Sequence, residues 1–319
     1  MNQTPELPEK DLPPGRHRLL KEHLMTEIRY EEQAPVRKRN PWLRPALTAA
    51  AVATVAAVTF TLLPSSGGAP SVTSSGTLLE DVALAAEHDN AGDKVRDDQF
   101  AYVDTKTSYA KRTADGKGTV IVPLHRLESW VSVDASADGL IRDAADPREI
   151  HPPALGPGHY FAGDSSSYNH LKSLPADPDA MYDWLEQAAK KGARFQFVAS
   201  KGAYVKGPQA MFLLAGDLID EAMVPPEQSA ALYRAAARIP GVTVVEDAVD
   251  ALGRHGVGVA RQDDGSPVRV EWIFDEKTYE FLGERTTVTK DYAGVKKGTV
   301  VADTAIVNRD FVDKAGQRP

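Results

Sequence analysis

A run of 20 uncharged residues, from Pro45 to Pro64, constrains this 319-residue chain more than any other feature. In an α-helix, which rises about 1.5 Å per residue, the run would extend about 30 Å, the thickness of the hydrocarbon core of a bilayer. Alanine and threonine dilute its Val, Leu and Phe residues, so a buried helix of a soluble domain is the alternative interpretation. The charges on either side of the run decide between the two.

Basic residues crowd the N-terminal side of the run, whereas residues 65–77 carry no charge; the basic residues are Arg37, Lys38, Arg39 and Arg44. Lys and Arg are enriched on the cytoplasmic side of membrane-spanning helices. The sequence therefore predicts a single-pass protein of the cell membrane, with a cytoplasmic N-terminus and an extracytoplasmic C-terminal domain. Because 44 residues precede the run, it is predicted to be an uncleaved signal-anchor in the lipid bilayer rather than a cleaved signal peptide.

Charge and composition divide the chain in the same way. Residues 1–44 contain nine Lys or Arg and seven Asp or Glu, and the net charge of the whole chain is −8. The acidic balance of the remainder argues against direct nucleic acid binding, and the absence of cysteine excludes disulfides and cysteine-ligated metals. We predict a cytoplasmic segment over 1–44, a transmembrane helix over 45–64, a Ser/Gly linker over 65–76 and an extracytoplasmic domain over 77–319.

The cytoplasmic segment contains one predicted amphipathic helix, over residues 16–32. Three apolar residues recur along it at every fourth position: Leu20, Leu24 and Ile28. A single apolar stripe cannot form a core, so the helix is either a docking site for a cytoplasmic regulator such as a sigma factor, or a semi-ordered tail. Within the predicted span, a row of small residues could pack two copies into a homodimer: Ala49, Ala53 and Ala57.

Strands, then helices, then strands follow one another in the outer domain, which predicts an α+β fold with an antiparallel sheet packed against three or four helices. Thr77 and Glu80 predict a capping box, and Asp177 followed by Pro178 predicts the start of a later helix. Two further helices are predicted over 211–222 and after Pro225. Strands are predicted over 100–109, 120–123, 127–133, 242–246, 257–261, 268–274, 279–289 and 299–307, and a long surface loop over 144–167.

No motif in the chain predicts a catalytic site, a metal site or a cofactor. The histidines, among them His125 and His255, lack the spacing of metal ligands on one element and are interpreted as surface residues. Asp217, Asp220 and Glu221 are interpreted as a solvated helix face. Gly163-Asp164-Ser165 resembles the Gly-Asp-Ser of some secreted esterases, but the sequence lacks the downstream Asp-x-x-His that accompanies it. The glycines at 253, 256 and 258 fit a turn and a strand bulge better than they fit a phosphate-binding loop.

Three large aromatic residues lie in predicted strands: Trp130, Trp272 and Phe274. The simpler interpretation is that they pack a sheet face against the helices. The alternative is that they line a groove for a lipid chain or a peptide. Sheets covered by helices also occur in periplasmic lipoprotein carriers and their sensor relatives, but a shared fold is weak evidence about function.

Several segments resemble an actinobacterial family of single-pass membrane proteins of unknown function that is known by a locus-tag label. The matching segments span most of the outer domain: 130–134 (WVSVD), 174–175 with 177–179 (LP, DPD), 224–226 (VPP), 231–242 (ALYRAAARIPGV), 272–275 (WIFD), 281–285 (FLGER) and 315–319 (AGQRP). The resemblance implies a short inner segment, one span and one outer domain. It supplies no catalytic residue, and the sigma-factor genes that lie beside such genes favour a regulatory role.

These observations lead to a hypothesis of a non-enzymatic, membrane-anchored regulator or sensor. Its outer domain would meet an envelope signal, and its inner helix would meet a cytoplasmic partner in an anti-sigma-like manner. A zinc-binding anti-sigma domain is excluded, because such domains use cysteine ligands. The alternative is an envelope binding module for a lipid or a peptide, in which residues 1–44 serve only for insertion.

Overall fold

The structure, a computed structural model, describes residues 74–89, 92, 94–113, 118–154, 166–194, 204–264 and 266–319. The cytoplasmic segment, the predicted span, nearly all of the linker and Gly163-Asp164-Ser165 therefore lie outside the described residues. Within the described ranges, no helix is both long enough and apolar enough to cross a membrane.

One antiparallel sheet of eight strands dominates the domain, in the order β3-β2-β1-β10-β9-β8-β7-β6. Its strands are β1 (Phe100–Arg112), β2 (Thr119–Ser132), β3 (Leu140–Asp143), β6 (Thr243–Val249), β7 (His255–Arg261), β8 (Val268–Phe274), β9 (Phe281–Val288) and β10 (Val300–Val312). Two short strands, β4 (Ala193–Arg194) and β5 (Tyr204–Val205), pair separately. The expected α+β class with an antiparallel sheet is confirmed.

The pairing of β1 with β10 joins the first and last strands of the chain as the third and fourth strands of the sheet, where Phe100 lies opposite Val312. Because β10 continues to Val312, it is longer than the strand predicted over 299–307. Strand β2 is continuous where the sequence predicted two strands, and β3 was not predicted. Strand β8 has the predicted bounds, because alternate apolar residues already define both of its ends.

Five helices complete the described fold: α1 (Ser75–Glu87), α2 (Tyr168–Lys172), α3 (Pro178–Lys190), α4 (Gly207–Glu221) and α5 (Pro226–Ala237). Asp177 caps α3 as predicted, since its side chain accepts hydrogen bonds from the backbone N–H groups of Asp179 and Ala180. The capping box predicted at Thr77 is wrong. The cap is Ser74, which accepts from the Thr77 N–H, so α1 begins within the stretch predicted to be linker.

The main core lies between the helices and the half of the sheet formed by β7 to β9. Alternate residues of β8, namely Val270, Trp272 and Phe274, pack there against helical residues such as Phe212 and Leu232. This period-two alternation follows from the pleat of the strand, which points successive side chains to opposite faces. The helices therefore cover one face of the sheet and define the walls of the candidate site.

Candidate functional site

A cleft opens where strands β9 and β10 separate. The two strands pair from Thr287 with Val300 to Gly283 with Ala305. Past Ala305, β10 continues beside β1. The gap forms a cleft of about 640 Å³ that is closed on its other sides by α1 and by the chain around the α4–α5 connection. This volume lies in the range that small-ligand sites occupy in proteins.

The cleft wall combines apolar and polar residues, and each structural element contributes to it. The apolar lining residues are Val82, Ala85 and Ala86 of α1, Ile219, Ala222, Met223 and Val224 near the α4–α5 connection, and Phe281, Leu282, Ile306 and Val307 of the separating strands. The polar residues of the wall include two arginines, Arg254 and Arg309, and the hydroxyl residues Ser229 and Tyr233. The wall also includes the polar residues His88, Asp89, Thr278, Glu280 and Asn308, so the cleft presents apolar and polar surface together.

Arg254 bridges the split in the sheet and is fully engaged in doing so. Its Nη2 donates to the carbonyl oxygens of Leu282, at 3.1 Å, and Ile306, at 2.9 Å, one on each of the separating strands. Its Nε donates to Asp250 Oδ2 at 2.6 Å. Arg254 therefore stabilises the opening by replacing hydrogen bonds that the two strands no longer make to each other.

Arg309 lies on β10 with its guanidinium against the C-terminal end of α4. Its Nη2 donates to the carbonyl oxygens of Ile219 and Asp220, and the guanidinium carbon lies 5.7 Å from the ring centroid of Phe281. Its Nε is shielded from solvent and has no acceptor among the described residues. Burial lowers the pKa of Arg309, although the charge of Asp220 and nearby Tyr233 and Asp89 act in the opposite direction.

A group of carboxylates lies between α4 and the sheet beside this arginine. Burial raises the pKa of Asp220 to about 6, with Asp217 adding to the rise, while Arg309 and Thr304 oppose it. Burial also raises the pKa of Glu284 on β9 well above its usual range, and the negative charges of Asp220, Asp217 and Glu221 act in the same direction. The sequence interpretation of a solvated helix face is therefore wrong for Asp220, whose carboxyl group is desolvated, whereas Glu221 is exposed as that interpretation expects.

Glycine at position 216 makes room for this arrangement. A Cβ at Gly216 would lie 2.7 Å from both Glu284 Oε2 and Trp272 Nε1, so the carboxylate and the indole N–H both lie directly beneath α4. Among the described residues, no group of three or more His, Asp or Glu side chains could hold a metal ion. The raised pKa values of Asp220 and Glu284 make these two carboxyl groups protonatable groups within the core.

The three aromatic residues of the alternative groove do not lie together. Trp272 stacks on Phe212, at 3.9 Å between ring centroids, and Phe274 belongs to the same cluster beneath the helices. Trp130 belongs to a separate cluster with Tyr102, at 5.0 Å, and its indole N–H donates to the carbonyl oxygen of Gln317. All three are completely buried, so they pack the core and do not line a shared groove.

The other predicted positions are placed as follows. His125 is largely buried, with Nε2 3.0 Å from Asp143 Oδ1, whereas His255 is exposed beside Asp247. Gly253 has a positive φ in a turn, and Gly258 faces the backbone of β8, consistent with the predicted turn and strand roles. The topology residues at 37–39 and 44 and the docking residues at 20, 24 and 28 lie outside the described residues.

Sequence reasoning missed the two arginines of the cleft. Arg309 is one polar residue in a strand of mixed character, and nothing in its local spacing shows that β9 leaves β10 beside it. The one available signal is a basic residue on the same strand face as Phe311, which packs against Tyr168 of α2. That signal requires the strand register to be known.

Comparison with known proteins adds no family assignment: no protein-family model matches the chain, and no curated protein matches it. The function must therefore be argued from the geometry of the cleft and from the pattern of the sequence.

Proposed function

We propose that this protein is a non-enzymatic, membrane-anchored sensor whose extracytoplasmic domain binds a small apolar or amphiphilic molecule. The observation that carries the proposal is the cleft of about 640 Å³ at the split between β9 and β10, whose wall presents apolar side chains beside polar ones. The uncharged run over 45–64 and the basic residues before it support the anchor and its orientation.

The position of α1 supports a sensing role. This helix lines the cleft through Val82, Ala85 and Ala86, and it is the first described element after the predicted span. A ligand in the cleft would contact α1 on one side and the separating strands on the other. Occupancy would therefore change the contacts of the element that is connected most directly to the anchor.

Filling the cleft tests the proposal. We expect a neutral diazirine-bearing fatty alcohol to label cleft peptides, such as the one containing Phe281, in the full-length protein in lipid nanodiscs. Ala85→Trp places a large side chain in the cleft and should abolish that labelling. Leu84→Trp changes a neighbouring position of the same helix that is 43% exposed, so it should leave the labelling unchanged. Labelling that is absent in the wild type, or equal in Ala85→Trp, would overturn the proposal.

A second function, regulation of a cytoplasmic partner such as a sigma factor, is favoured by the stripe of Leu20, Leu24 and Ile28. In-cell crosslinking with the full chain as bait should recover the partner from wild type and lose it in Leu24→Asp. Lys21→Asp places the same new charge off the stripe and should retain the partner. Recovery of no partner from wild type would favour the alternative in which residues 1–44 serve only as an anchor.

A further inference from the structure

Strand β10 has an open edge that begins inside the cleft. On one side the strand pairs with β1 as far as Val312. On the other side its pairing with β9 ends at Ala305, and no other described strand pairs with residues 306–312. At about 3.4 Å per residue, this open edge is roughly 20 Å long. Its first residues, 306–309, also line the cleft.

One contact shows which backbone groups face the open edge. The N–H of Phe311 donates to the side chain of its neighbour Asp310, at 2.7 Å, in place of a strand carbonyl. In an antiparallel strand, every second residue directs its N–H and C=O groups to the same neighbouring strand. Arg309 therefore directs its backbone groups to the open side together with Phe311. Such groups are the ones to which an added strand forms hydrogen bonds.

The start of this edge is less protected than the outer edges of the sheet. Proteins block free edges with charged side chains or with proline. The part of β2 that β3 leaves uncovered contains Pro123, and the terminal strand β6 carries the exposed acids Glu246 and Asp247. In β10, by contrast, Val307 is 48% exposed, and the exposed Asn308 is uncharged. The start of the β10 edge is therefore able to pair with another strand.

The cleft beside this edge suits a short peptide. A peptide strand presents backbone amides along its edges and side chains alternately to its two faces, and the cleft wall offers polar and apolar residues together. Arg254 spans the two strands where they separate, through the carbonyl oxygens of Leu282 and Ile306. An added strand must end at Arg254, so a short peptide fits, whereas a chain that continues in this direction does not.

The two arginines of the wall are already engaged by the protein. Arg254 pairs with Asp250 at 2.5 Å. Arg309 donates to the carbonyl oxygens at the end of α4, and the charges of Asp220 and Asp89 act on it. Neither arginine therefore calls for an anionic ligand.

The exposed charge beside the open edge is acidic. Glu280 lines the cleft just before β9, and Asp310 lies on the open edge itself; both are exposed. The chain as a whole has a net charge of −8. Such a surface attracts Lys and Arg side chains and opposes an acidic peptide.

We infer that the open edge of β10 binds a short basic peptide as an added strand, with Lys or Arg side chains of the peptide near Glu280 and Asp310. Main-chain hydrogen bonds to Arg309 and Phe311 provide affinity, and the alternate side chains of the peptide provide selectivity. This inference goes beyond the proposed function, since it assigns a ligand to the backbone edge of β10 and not to the apolar side chains of the cleft.

The test measures how defined peptide pools protect the β10 amides. The full-length protein in zwitterionic nanodiscs is mixed with hexapeptides that alternate Val, Ile or Phe with Lys or Arg, or with matched hexapeptides that carry Glu or Asp instead. Hydrogen exchange at Arg309 and Phe311 is resolved by mass spectrometry with electron-transfer fragmentation. The basic pool should slow exchange at both amides at least about fivefold, as binding to the folded protein requires once the peptide exceeds its Kd severalfold. The acidic pool should slow it less than about twofold.

N-methylated peptides distinguish strand addition from other modes of binding. Only every second N–H of an added strand faces its neighbour. Methylation of the basic pool at one alternate set of amides should therefore abolish the protection, whereas methylation of the other set should retain it. Equal effects of the two methylated pools would overturn strand addition.

A pair of matched variants tests the contribution of charge. Glu280→Lys reverses an exposed acid of the cleft, and it should raise the concentration of basic pool needed for half-maximal protection about threefold or more. Glu246→Lys makes the same change at an exposed position on β6, outside the cleft, and should behave like wild type. Equal responses of the two variants would overturn the role of Glu280.

The outcomes also separate this inference from the proposed function. If neither pool protects the β10 amides, or if the acidic pool protects them as well as the basic pool does, the inference is overturned. Labelling of the cleft by the fatty alcohol does not depend on these amides. Labelling without protection therefore overturns this inference alone, and protection without labelling overturns the proposed function alone.

Discussion

Single residues beneath α4 show how the core holds polar groups. Glu284 lies opposite Trp272 and Thr304 in the paired strands, on the sheet face that α4 covers. Gly216 leaves the space that its carboxylate occupies. Because burial and the neighbouring carboxylates raise the pKa of Glu284, the folded protein holds this proton more tightly than the unfolded chain does.

Replacing Glu284 with Gln should therefore stabilise the domain in a pH-dependent way. A raised pKa contributes stability that is fully present below the ordinary value of 4.5 and is lost as the pH rises through the folded pKa. Glutamine keeps the shape but needs no proton. At pH 8 we expect the free energy of unfolding of Glu284→Gln to exceed that of wild type by about 1 kcal/mol or more, measured by urea titration with tryptophan fluorescence.

The difference between the two proteins should vanish near pH 4, where Glu284 is protonated in both folded and unfolded states. Glu276→Gln removes an exposed carboxylate from the turn after β8 and should leave the pH dependence as in wild type. If the free energy of unfolding depends on pH in Glu284→Gln in the same way as in wild type, the Glu284 side chain is solvated in the folded protein.

Gly216→Ala should destabilise the domain, although Gly-to-Ala changes within helices usually stabilise by up to about 1 kcal/mol. The new Cβ would lie 2.7 Å from two side-chain atoms, and overpacking of this kind costs about 1–3 kcal/mol. Gly76→Ala in α1 adds a Cβ that meets only Ser74 Oγ, at 3.7 Å, and should be neutral or stabilising. Thermal unfolding of the two variants gives the comparison, and equal shifts would contradict this account.

At the scale of elements, the C-terminal segment after β10 covers the outer half of the sheet. The indole of Trp130 donates to Gln317, and Arg318 donates from Nε and Nη2 to the two carboxylate oxygens of Glu128, at 2.7 and 2.6 Å. Burial would raise the pKa of Glu128, but Arg318, Tyr102 and Arg126 outweigh it and lower that pKa. The segment therefore acts as a cover for a small second core.

Arg318→Gln should loosen this cover. Removing one partner of a buried carboxylate is destabilising, but Arg318 is itself 53% exposed and Arg126 remains near Glu128, so we expect a modest decrease in the free energy of unfolding. Relative to wild type, the rate of amide hydrogen exchange in Arg318→Gln should increase more in β2 than in β8. Lys296→Gln, which removes a surface pair with Asp291, should change neither quantity.

The lowered pKa of Glu128 sets the sign of the pH dependence of that variant. The stabilisation by Arg318 is present at neutral pH and is lost as the pH falls from the ordinary range of a carboxyl group through the folded pKa. The difference between wild type and Arg318→Gln should therefore shrink in acid. A constant difference down to acidic pH would indicate that the arginine contributes by packing alone.

At the scale of the whole molecule, the predicted orientation in the membrane is testable because the chain has no cysteine. A single cysteine introduced at any position is then the only thiol. We expect a membrane-impermeant maleimide to label Ser71→Cys on intact cells, because that position follows the predicted span. Gln33→Cys should react only after the cells are permeabilised. Labelling of Gln33→Cys on intact cells would reverse the proposed topology.

Local signals in the sequence were sufficient to place the ends of those helices and strands that begin or end at a residue with one strong conformational preference. Asp177 and Pro178 begin α3 as predicted, and the alternation from Val268 to Phe274 defines β8. The capping prediction at Thr77 was wrong because Ser74, three residues earlier, has the same capping chemistry. The membrane span remains a prediction from length, apolar character and flanking charge.

The tertiary structure alone decided the order of the strands and everything that depends on it. Phe100 lies opposite Val312 and Glu284 lies beneath Gly216, and such distant pairs leave no trace in a local period of two or 3.6 residues. The same reasoning applies to the cleft, which exists because β9 pairs with β10 only from Gly283 onward and the two residues before it, 281 and 282, diverge from β10. The sequence by itself determined most of the longer helices and strands, but not the short elements β3, β4, β5 and α2. Their packing decided that Arg309 lines the cleft and that Trp130 and Trp272 lie in separate cores.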